Sequence, residues 1–379
     1  MRIALLVRRF ITTGGAERYA VEVARRLARA HQVHVFAQQW DHESTGLTLH
    51  RVSRPFRKPA YADRWWFSRQ TARLTRGFDV VYSHEKVTRF DVMNVHCGTF
   101  IGGLRGVERG EPRNPAAIWL KTLTDPSIGA NWLLERIHYT TAPGRFWVAD
   151  SDLVKREVQR YYPIPDDRFL VAHSGVDDPA PNLAERRLEW RRKLGFRDAD
   201  VVALFVASEF RRKGLGPLLE ALGRLRDRGP RLVIVGGDDR APYAARAGEL
   251  GVADRITWAG RVNNVTDYYA LSDVLVLPTL SDPSPLAPLE AMAHGCAALI
   301  SSARYTGAAE LVQPDEAILL EDPRNPAEIA AALTRLLDTA TRKTYAEKGR
   351  QRVRGLSWER TAAVVSAALE KSWTERHRP

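Results

Sequence analysis

Short, fully apolar runs alternate with segments of helical periodicity along most of this chain, and this alternation limits the possible folds more than any other feature. The apolar run Ile3 to Val7 leads to a helical pattern over Ala16 to Ala30 and then to a second run at Val33 to Ala37. Continuous apolar runs are typical of strands buried on both faces. A strand–helix–strand unit of this size predicts a parallel sheet with a right-handed crossover.

The same alternation returns after residue 200 and indicates a second α/β domain. Strands are predicted over residues 201–207, 231–235, 256–259, 274–277, 298–301 and 318–320, and helices over residues 214–228, 241–250, 265–272, 286–294, 326–338 and 342–352. A chain of 379 residues exceeds what one compact core usually holds, so two domains are expected. The hinge is expected within residues 172–177.

Composition excludes several classes of protein. The 44% of apolar residues is too high for a disordered chain, and Cys97 and Cys296 alone form neither a disulfide framework nor a zinc site. The longest apolar run, residues 201–207, is far shorter than the roughly 20 residues of a membrane-spanning helix. Arg8 and Arg9 interrupt the first apolar run at once, unlike a signal peptide. The expected location is the cytoplasm, at most on the cytosolic face of the inner membrane.

The segment 51–76 is unusually basic and aromatic. Against the single acid Asp63 it has eight basic residues, which are Arg51, Arg54, Arg57, Lys58, Arg64, Arg69, Arg73 and Arg76. Its five aromatic residues are Phe56, Tyr61, Trp65, Trp66 and Phe67. Arg69, Arg73 and Arg76 are spaced to share one face of a helix. We interpret the segment as a contact for an anionic membrane surface, the alternatives being a solvated face with buried aromatics or a site for a phosphorylated glycan acceptor.

Loops at the carboxyl ends of parallel strands are the candidate ligand sites, because open α/β sheets bind ligands there. Gly14 and Gly15 lie between the first strand and a helix, where free N–H groups attract anions; the alternative is a plain turn. Arg212 and Lys213 open a helix after the strand at 201–207. Cations at a helix N-terminus oppose the helix dipole, and a bound anion would remove that conflict; the alternative is a solvated basic turn.

Asp282 and Glu290 flank a proline-rich helix start. The helix is expected to begin between residues 285 and 288, since proline is accepted in a first helical turn. Its N-terminus would then offer the amide groups of Leu286 and Ala287 to an anion, with Glu290 about one turn further on. The alternative is a surface acid and an acid that pairs with the helix dipole, which these residues alone favour.

Together these stretches resemble the retaining GT-B glycosyltransferases of the GT4 class, which includes glucosyltransferases of lipopolysaccharide core assembly. The matching segments are GGAER (14–18), GVD (175–177), SEFRRKG (208–214), WAGRV (258–262), ALSDVLVLP (270–278) and DPSPLAPLEAMAHG (282–295). The resemblance implies two Rossmann-like doubly wound domains facing a cleft. The N-domain would comprise residues 1–174 plus 358–379, with the last helix crossing back to it, and the C-domain residues 175–357.

The resemblance also implies four residues that act on the reacting groups: Arg212, Lys213, His96 and Asp282. Arg212 and Lys213 would clamp the donor diphosphate. Asp282 would touch the donor sugar, and His96 is the candidate for a histidine of the N-domain that lies beside that sugar.

The remaining residues implied by the resemblance bind the donor, and they are Gly14, Gly15, Gly260, Arg261, Leu286, Ala287 and Glu290, together with Arg212 and Lys213. Glu290 would bind the ribose hydroxyls, and Gly260 with Arg261 would frame the base. The loop of Gly14 and Gly15 would lie over the phosphates and the transferred sugar.

No metal or other cofactor is expected, because two side-chain cations can neutralise a departing diphosphate. Asp238 and Asp239 are interpreted as a turn, since no further ligand cluster lies near them in sequence. The chain departs from the family pattern at Asp282, which is one methylene shorter than the usual glutamate, and at three prolines, 283, 285 and 288, which remove N–H donors. These departures leave a catalytically impaired nucleotide-sugar-binding protein as an alternative.

The sequence therefore predicts a retaining glycosyltransferase that moves a hexose or heptose from a nucleoside-diphosphate sugar to a glycan hydroxyl. The expected acceptor is a lipopolysaccharide core or another membrane-linked glycan. The net charge of +12 raises nucleic-acid binding as an alternative, yet no motif for it is recognisable. A nicotinamide-dependent oxidoreductase would need a G-x-G-x-x-G fingerprint with an acid about 20 residues on, which the sequence lacks.

Overall fold

The protein divides into two compact units in this computed structural model, which describes residues 1–41, 45–56, 58–106, 114–142 and 144–377. Unit 1 comprises Met1–Gly175 with Ser357–Pro379, and unit 2 comprises Val176–Leu356. These limits lie one residue from the sequence-based boundaries after residues 174 and 357. Arg57, one of the eight basic residues of the segment 51–76, lies outside the described residues.

The strands follow the apolar runs of the sequence. In unit 1 they are β1 (Arg2–Leu6), β2 (Arg9–Phe10), β3 (Gln32–Ala37), β4 (Gln39–Trp40), β5 (Leu47–Arg51), β6 (Val80–Ser83), β7 (Val92–Val95), β8 (Phe146–Ala149) and β9 (Phe169–Val171). In unit 2 they are β10 (Val202–Val206), β11 (Arg231–Val235), β12 (Ile256–Gly260), β13 (Val274–Leu277), β14 (Ala297–Ser301) and β15 (Ile318–Leu320).

The helices occupy the segments between the strands. In chain order they are α1 (Gly15–Leu27), α2 (Ala60–Leu74), α3 (Phe100–Arg105), α4 (Pro115–Thr124), α5 (Pro126–His138), α6 (Asp152–Tyr161), α7 (Leu183–Lys193), α8 (Leu215–Leu225), α9 (Ala241–Glu249), α10 (Thr266–Leu271), α11 (Leu286–Ala293), α12 (Pro326–Leu337), α13 (Thr339–Val353) and α14 (Trp358–Arg376).

Three predicted helix bounds are wrong by three residues, and one of them is the end of α1, which was predicted at Ala30 and lies at Leu27. The helix predicted over 214–228 ends at Leu225, because Arg226 has a positive φ of 49° and a 3-10 turn follows it. The helix predicted from residue 342 begins at Thr339. Asp338 caps it by accepting a hydrogen bond from the Thr341 amide at 2.8 Å.

Each unit contains a parallel sheet, which confirms the expected α/β class. Within the described residues the strand order is β5-β3-β1-β6-β7-β8-β9 in unit 1 and β12-β11-β10-β13-β14-β15 in unit 2. In unit 1 the chain runs from β1 through β3 to β5 on one side of the sheet and then crosses to β6 and the following strands on the other side of β1. In unit 2 it runs from β10 through β11 to β12 and then crosses to β13 in the same way. We call the gap between β1 and β6 the unit 1 switch point and the gap between β10 and β13 the unit 2 switch point. Ligands of open α/β sheets bind at such points.

Helix α14 belongs to unit 1, as the resemblance implies. Its Thr361 hydroxyl donates to the carbonyl of His173 at 2.7 Å, and its Ser372 hydroxyl donates to the carbonyl of Gly144 at 2.5 Å. Trp358 is almost completely buried, and a Cβ at Gly175 would collide with its backbone. The chain therefore needs glycine at 175 to return against this helix.

Helix α4 differs from the others because none of its residues is buried. Trp119, Leu120 and Leu123 are 60–66% exposed, and on the following helix α5 Trp132 and Leu133 are 42% and 47% exposed. These five side chains, here called the apolar patch, leave large apolar groups in contact with water. No helix in the described part of the chain is long and apolar enough to cross a bilayer.

Candidate functional site

The loops after β10 and β13 are joined at the unit 2 switch point. The Leu280 amide donates to the carbonyl of Arg212 at 2.8 Å, and Arg212 Nη1 donates to the carbonyl of Ser281 at 2.6 Å. Gly214, the N-cap of α8, has φ of +82°, and a Cβ there would collide with the carbonyl oxygen of Pro278. Glycine at 214 is thus what lets the start of α8 approach the end of β13.

Lys213 and Asp282 form a buried ion pair at this point. Their side chains are 11% and 9% exposed, and Lys213 Nζ contacts Asp282 Oδ2. The backbone holds Asp282 in place, since its amide donates to Tyr305 and its carbonyl accepts from Gly307. Burial and the neighbouring Arg212 guanidinium lower the pKa of Lys213 well below its usual value. The Glu209 carboxylate acts in the opposite direction and raises the pKa of the lysine, though not enough to offset burial.

Arg212 lies beside this pair with a more exposed guanidinium. Its Nη1 is 3.8 Å from Asp282 Oδ1, while its Nε and Nη2 donate to the Glu209 carboxylate at 3.1 and 3.0 Å. The Glu209 side chain is 59% exposed. An ion pair with an exposed carboxylate contributes little, so an anionic ligand can replace Glu209 on Arg212 at small cost.

Helix α11 begins where the sequence predicts, at Leu286 with Pro285 as N-cap. No side chain caps its N-terminus, so the amides of Leu286 and Ala287 lack intrahelical partners. Glu290 is one turn further on, and its Oε2 accepts a hydrogen bond from the Tyr269 hydroxyl on α10 at 2.8 Å. The carboxylate is thereby oriented by a side chain that sequence reasoning did not single out.

Gly260 and Arg261 lie at the carboxyl end of β12, on the edge of the unit 2 sheet. Gly260 has φ of +68°, and its carbonyl accepts a hydrogen bond from the Gly236 amide at 2.9 Å. The exposed Arg261 side chain lies over Gly237. β11 and β10 separate β12 from the switch point, so β12 lies about 12 Å from its centre at the usual strand spacing.

The Gly14–Gly15 loop begins α1 in unit 1. Gly14 has φ of +101°, and a Cβ there would lie 2.5 Å from Glu17 Oε2. No side chain caps this helix either. The Glu17 carboxylate lies over the loop, with Oε1 3.5 Å from Arg9 Nη1. A carboxylate in this place repels a phosphate and can accept a hydrogen bond from a hydroxyl group.

His96 follows β7 and is held by a network of buried polar groups. Its Nδ1 lies 2.7 Å from Asp150 Oδ2, and its Nε2 lies 2.6 Å from Nδ1 of His84. Asn94 donates to the other Asp150 oxygen at 2.6 Å, and the Tyr82 hydroxyl donates to Asn94 Oδ1 at 2.7 Å. Asp150 accepts only, so this bonding pattern assigns the proton to Nδ1 of His96 and leaves its Nε2 as acceptor from His84.

His84 is the second histidine of this network and was not singled out from the sequence. Burial, with His96 next to it, lowers the pKa of His84 well below its usual value, so the ring is neutral. Its ring is stacked on that of His96, with centroids 4.9 Å apart. The signal that could have found it is its position directly after the buried strand β6.

An ion pair also bridges the unit 1 switch point. Arg8, after β1, donates through Nε to Glu85 Oε2 at 2.9 Å, and its Nη1 lies 3.5 Å from Asp63 on α2. Asp63 is buried and accepts a hydrogen bond from the Gln38 side chain at 2.8 Å. None of these residues was predicted as a site from the sequence.

The basic side chains of the segment 51–76 have several different partners. The Arg51 guanidinium lies over the Trp40 ring, Arg54 pairs with Asp63 at 3.5 Å, and Arg64 donates to Asn131 at 2.6 Å. The predicted helix face is wrong in one respect, because α2 ends at Leu74 and Arg76 lies beyond it. Arg69, Arg73 and Arg76 nevertheless line one cleft.

Comparison with known families decides what kind of protein this is. The family model described as Glycosyl transferases group 1 matches residues 186–352, and the one described as Glycosyltransferase Family 4 matches residues 13–178. A probable transglycosylase of Burkholderia thailandensis is 32% identical over 340 residues, which cover 88% of this chain and 84% of that protein. The chain belongs to the family 4 glycosyltransferases.

Solved structures show the same fold. WaaG, a glycosyltransferase involved in lipopolysaccharide biosynthesis, superposes with a TM-score of 0.80 at 21% identity, over 97% of this chain and 98% of WaaG. HepE of Anabaena, in complex with UDP-glucose, superposes with a TM-score of 0.71 at 15% identity, over 98% of each chain. This glycosyltransferase thus has the two Rossmann-like sheets of the GT-B fold.

The glycosyltransferase brings some of the predicted residues into contact and leaves others apart. Arg212, Lys213 and Asp282 touch one another. Glu290 bonds to a tyrosine of α10, and Arg261 lies at the sheet edge. Asp238 and Asp239 form a turn, in which Asp238 accepts from the Phe210 amide at 2.7 Å and Asp239 from the Ala241 amide at 3.0 Å.

Proposed function

We propose that this family 4 glycosyltransferase moves a hexose or heptose from a nucleoside-diphosphate sugar to a hydroxyl of a lipopolysaccharide core or another membrane-linked glycan. The anomeric configuration is retained. Unit 2 binds the donor and unit 1 binds the acceptor. The observation that carries the proposal is the pair of cations, Arg212 and Lys213, placed at the unit 2 switch point.

These cations suit a departing diphosphate. Breaking the bond between the anomeric carbon and the phosphate develops negative charge on the leaving group, and fixed cations aimed at that charge lower the barrier. Each such group is typically worth about 3–4 kcal/mol. Arg212 can hold a phosphate with two parallel hydrogen bonds once it releases the exposed Glu209. The uncapped N-terminus of α11 adds the amides of Leu286 and Ala287.

Asp282 has two tasks in this proposal. Its contact with Lys213 Nζ holds the lysine beside Arg212, where a diphosphate would meet both side chains. Its second oxygen, 3.8 Å from Arg212 Nη1, is the acceptor proposed for a donor-sugar hydroxyl.

The nucleoside end of the donor is assigned to the residues further along the sheet edge. Glu290, oriented by Tyr269, accepts hydrogen bonds from ribose hydroxyls, and Gly260 with Arg261 frames the base. The structures of HepE with UDP, with UDP and glucose, and with UDP-glucose support a nucleoside diphosphate as ligand of this fold.

In unit 1, His96 and the Gly14–Gly15 loop are assigned to the sugar side of the reaction. The Glu17 carboxylate over that loop favours contact with hydroxyl groups over contact with phosphates. Asp150 is engaged by both Asn94 and His96, which makes it a positioning group for the histidine and a poor covalent nucleophile. We therefore propose front-side displacement, assisted by the departing diphosphate, as the route to retention.

No metal is assigned a role, because Arg212, Lys213 and the α11 amides can together neutralise the leaving group. Contact with an anionic membrane surface through residues 51–76 is part of the proposal, and the apolar patch on α4 and α5 supports it. Basic and aromatic side chains are favoured at the interface of an anionic bilayer.

The proposal is tested by incubating the purified protein with UDP-glucose, GDP-mannose or an ADP-heptose and a lipopolysaccharide core acceptor. The expected result is release of one nucleoside diphosphate that depends on acceptor, continues in the presence of EDTA, and gives a product with the anomeric configuration of the donor by proton NMR. Inversion of configuration, or turnover only with added metal, would contradict the corresponding part of the proposal.

A catalytically impaired nucleotide-sugar-binding protein is the second candidate. It is favoured by Asp282, whose carboxylate is engaged with Lys213, and by Pro288, which removes an amide from the first turn of α11. Binding of a nucleoside diphosphate without transfer of any of the three sugars would favour this candidate over the transferase.

A further inference from the structure

One face of α2 forms the wall of a cleft of about 710 Å³ in unit 1. Its lining includes Trp65, Trp66, Arg69, Ala72, Arg73 and Arg76. These positions recur three or four residues apart, which is the spacing of neighbours on one side of a helix, and Arg76 continues the row just beyond the last helical residue. We call this feature the arginine cleft.

The three arginines of the cleft differ from Arg54 and Arg64 of the same segment, whose side chains have polar partners. Arg54 pairs with Asp63 and Arg64 with Asn131. Arg69, Arg73 and Arg76 are exposed, and within the described ranges no carboxylate is recorded within ion-pair distance of any of them. Like charges four residues apart on a helix are mutually unfavourable. The helix dipole favours a cation near the helix C-terminus, but of the three only Arg73 lies in the last turn of α2.

The aromatic walls are held in fixed orientations. Trp65 Nε1 donates to the carbonyl of Ala130 on α5 at 3.2 Å, and Trp66 Nε1 donates to the Ser53 hydroxyl at 3.1 Å. Phe56 packs edge-on against Trp66 with centroids 5.9 Å apart. Because both indole N–H groups already have acceptors, the rings offer the cleft apolar faces and no further donors.

We propose that the arginine cleft binds the phosphate ester of a polyol. Two or three guanidinium groups converge on the phosphate, for which their planar donor geometry is suited, and the carbon skeleton next to the ester rests on the indole faces. A single cleft of this size, bounded by aromatic rings, fits a compact ligand better than the extended backbone of a nucleic acid. The phosphate ester would belong to the glycan acceptor, and this identification rests on the proposed function. The binding itself requires no donor.

Binding of a soluble phosphate ester to the arginine cleft is tested by calorimetric titration with glucose 6-phosphate, using glucose as the uncharged reference. Glucose 6-phosphate should bind and glucose should not. The double variant Arg69→Gln with Arg73→Gln should weaken binding at least tenfold. The matched control, Arg192→Gln with Arg224→Gln, makes the same change in net charge at two exposed positions of unit 2 and should bind like the wild type.

A third variant separates a cleft from a merely charged surface. Ala72→Phe keeps every arginine and fills the space between them, so it should weaken binding as strongly as the double variant. Circular dichroism melting of each variant checks that the fold is intact. If Ala72→Phe binds like the wild type while the double variant does not, the cleft is not the site and the proposal is overturned.

The same variants are tested for sedimentation with phosphatidylcholine vesicles that contain or lack phosphatidylglycerol. If glucose 6-phosphate does not bind, but both cleft variants lose at least tenfold in affinity for the phosphatidylglycerol vesicles and the control does not, the phosphate belongs to a lipid headgroup. If neither probe distinguishes the cleft variants from the control, the proposal is wrong. UDP affinity, measured in parallel, shows whether the donor proposal fails independently.

Discussion

The two switch points have the same strand topology but opposite charge chemistry. In unit 2 the ion pair between the loops contains a buried lysine, Lys213, with a second cation beside it. In unit 1 the corresponding bridge runs from Arg8 to Glu85, and the buried charged side chains Asp63, Glu135 and Asp150 are all carboxylates. The fold therefore determines where a ligand binds, and a few loop residues determine whether that place suits a diphosphate or hydroxyl groups.

The largest expected effect is a loss of catalytic activity when a cation is removed from the unit 2 switch point. Arg212→Ala should reduce kcat/KM by about 100- to 1,000-fold, the usual effect of removing one group that stabilises charge in the transition state. Arg224→Gln, an exposed arginine of the same unit, should leave it unchanged. Steady-state release of the nucleoside diphosphate measures both. A loss below tenfold for Arg212→Ala would place the leaving-group site elsewhere.

The second comparison concerns the two glycines that begin helices at these points. At Gly214 a side chain meets a backbone carbonyl, whereas at Gly14 it meets the movable end of Glu17. Gly14→Ala should cost about 1–3 kcal/mol of the free energy of unfolding, the usual penalty for a strained backbone, and Gly214→Ala more. Urea denaturation measures both values. Equal losses would contradict the close approach of α8 to the end of β13.

The third comparison concerns the stability of the two units at acidic pH. Nine of the ten histidines lie in unit 1, and burial lowers the pKa of His138 to about 3. The unfolded chain therefore binds a proton at His138 between about pH 6.5 and 3, which the folded chain does not. The stability that this residue contributes is complete above pH 6.5 and is lost as pH falls through that window, by up to about 1.4 kcal/mol per pH unit.

Hydrogen exchange at pH 7 and pH 5, read by mass spectrometry for each unit, checks this expectation. Acid should lower protection more in unit 1 than in unit 2, and His138→Gln should reduce that difference. Equal losses of protection in both units would mean that the buried histidines do not dominate acid sensitivity.

The smallest expected effect concerns the apolar patch. Trp119→Ser with Leu120→Ser should weaken binding to phosphatidylglycerol vesicles about tenfold, since two partly inserted side chains lose a fraction of their burial energy. Leu188→Ser, at a side chain 55% exposed in unit 2, is the matched control and should have no effect. Vesicle sedimentation measures each variant. A tenfold loss in the control would show that any exposed apolar side chain matters equally.

The parallel sheets and the start of α11 were predictable because they depend on local patterns, namely apolar runs, helical periods and the prolines beside the start of α11, of which Pro285 is its N-cap. The sequence predicted that Arg212 and Lys213 open a helix, but not that Lys213 would be paired with Asp282. That contact joins loops 69 residues apart and depends on how Gly214 packs.

Unit 1 was less predictable for a similar reason. Its site uses single residues, such as His84 and Glu85, that follow short strands without a motif around them. The exposure of α4 is not evident from the sequence either, because apolar residues such as Ile118, Trp119 and Leu120 fit a buried helix face equally well when the packing of the neighbouring elements is unknown.

The donor site is tested most directly by calorimetric titration of UDP, GDP and ADP into the wild type, Arg212→Ala and Arg8→Ala. We expect that one nucleoside diphosphate binds the wild type, that Arg212→Ala weakens this binding at least tenfold, and that Arg8→Ala leaves it unchanged. Equal weakening by the two variants, or the absence of binding by all three nucleotides, would contradict the assignment of the donor diphosphate to the unit 2 switch point.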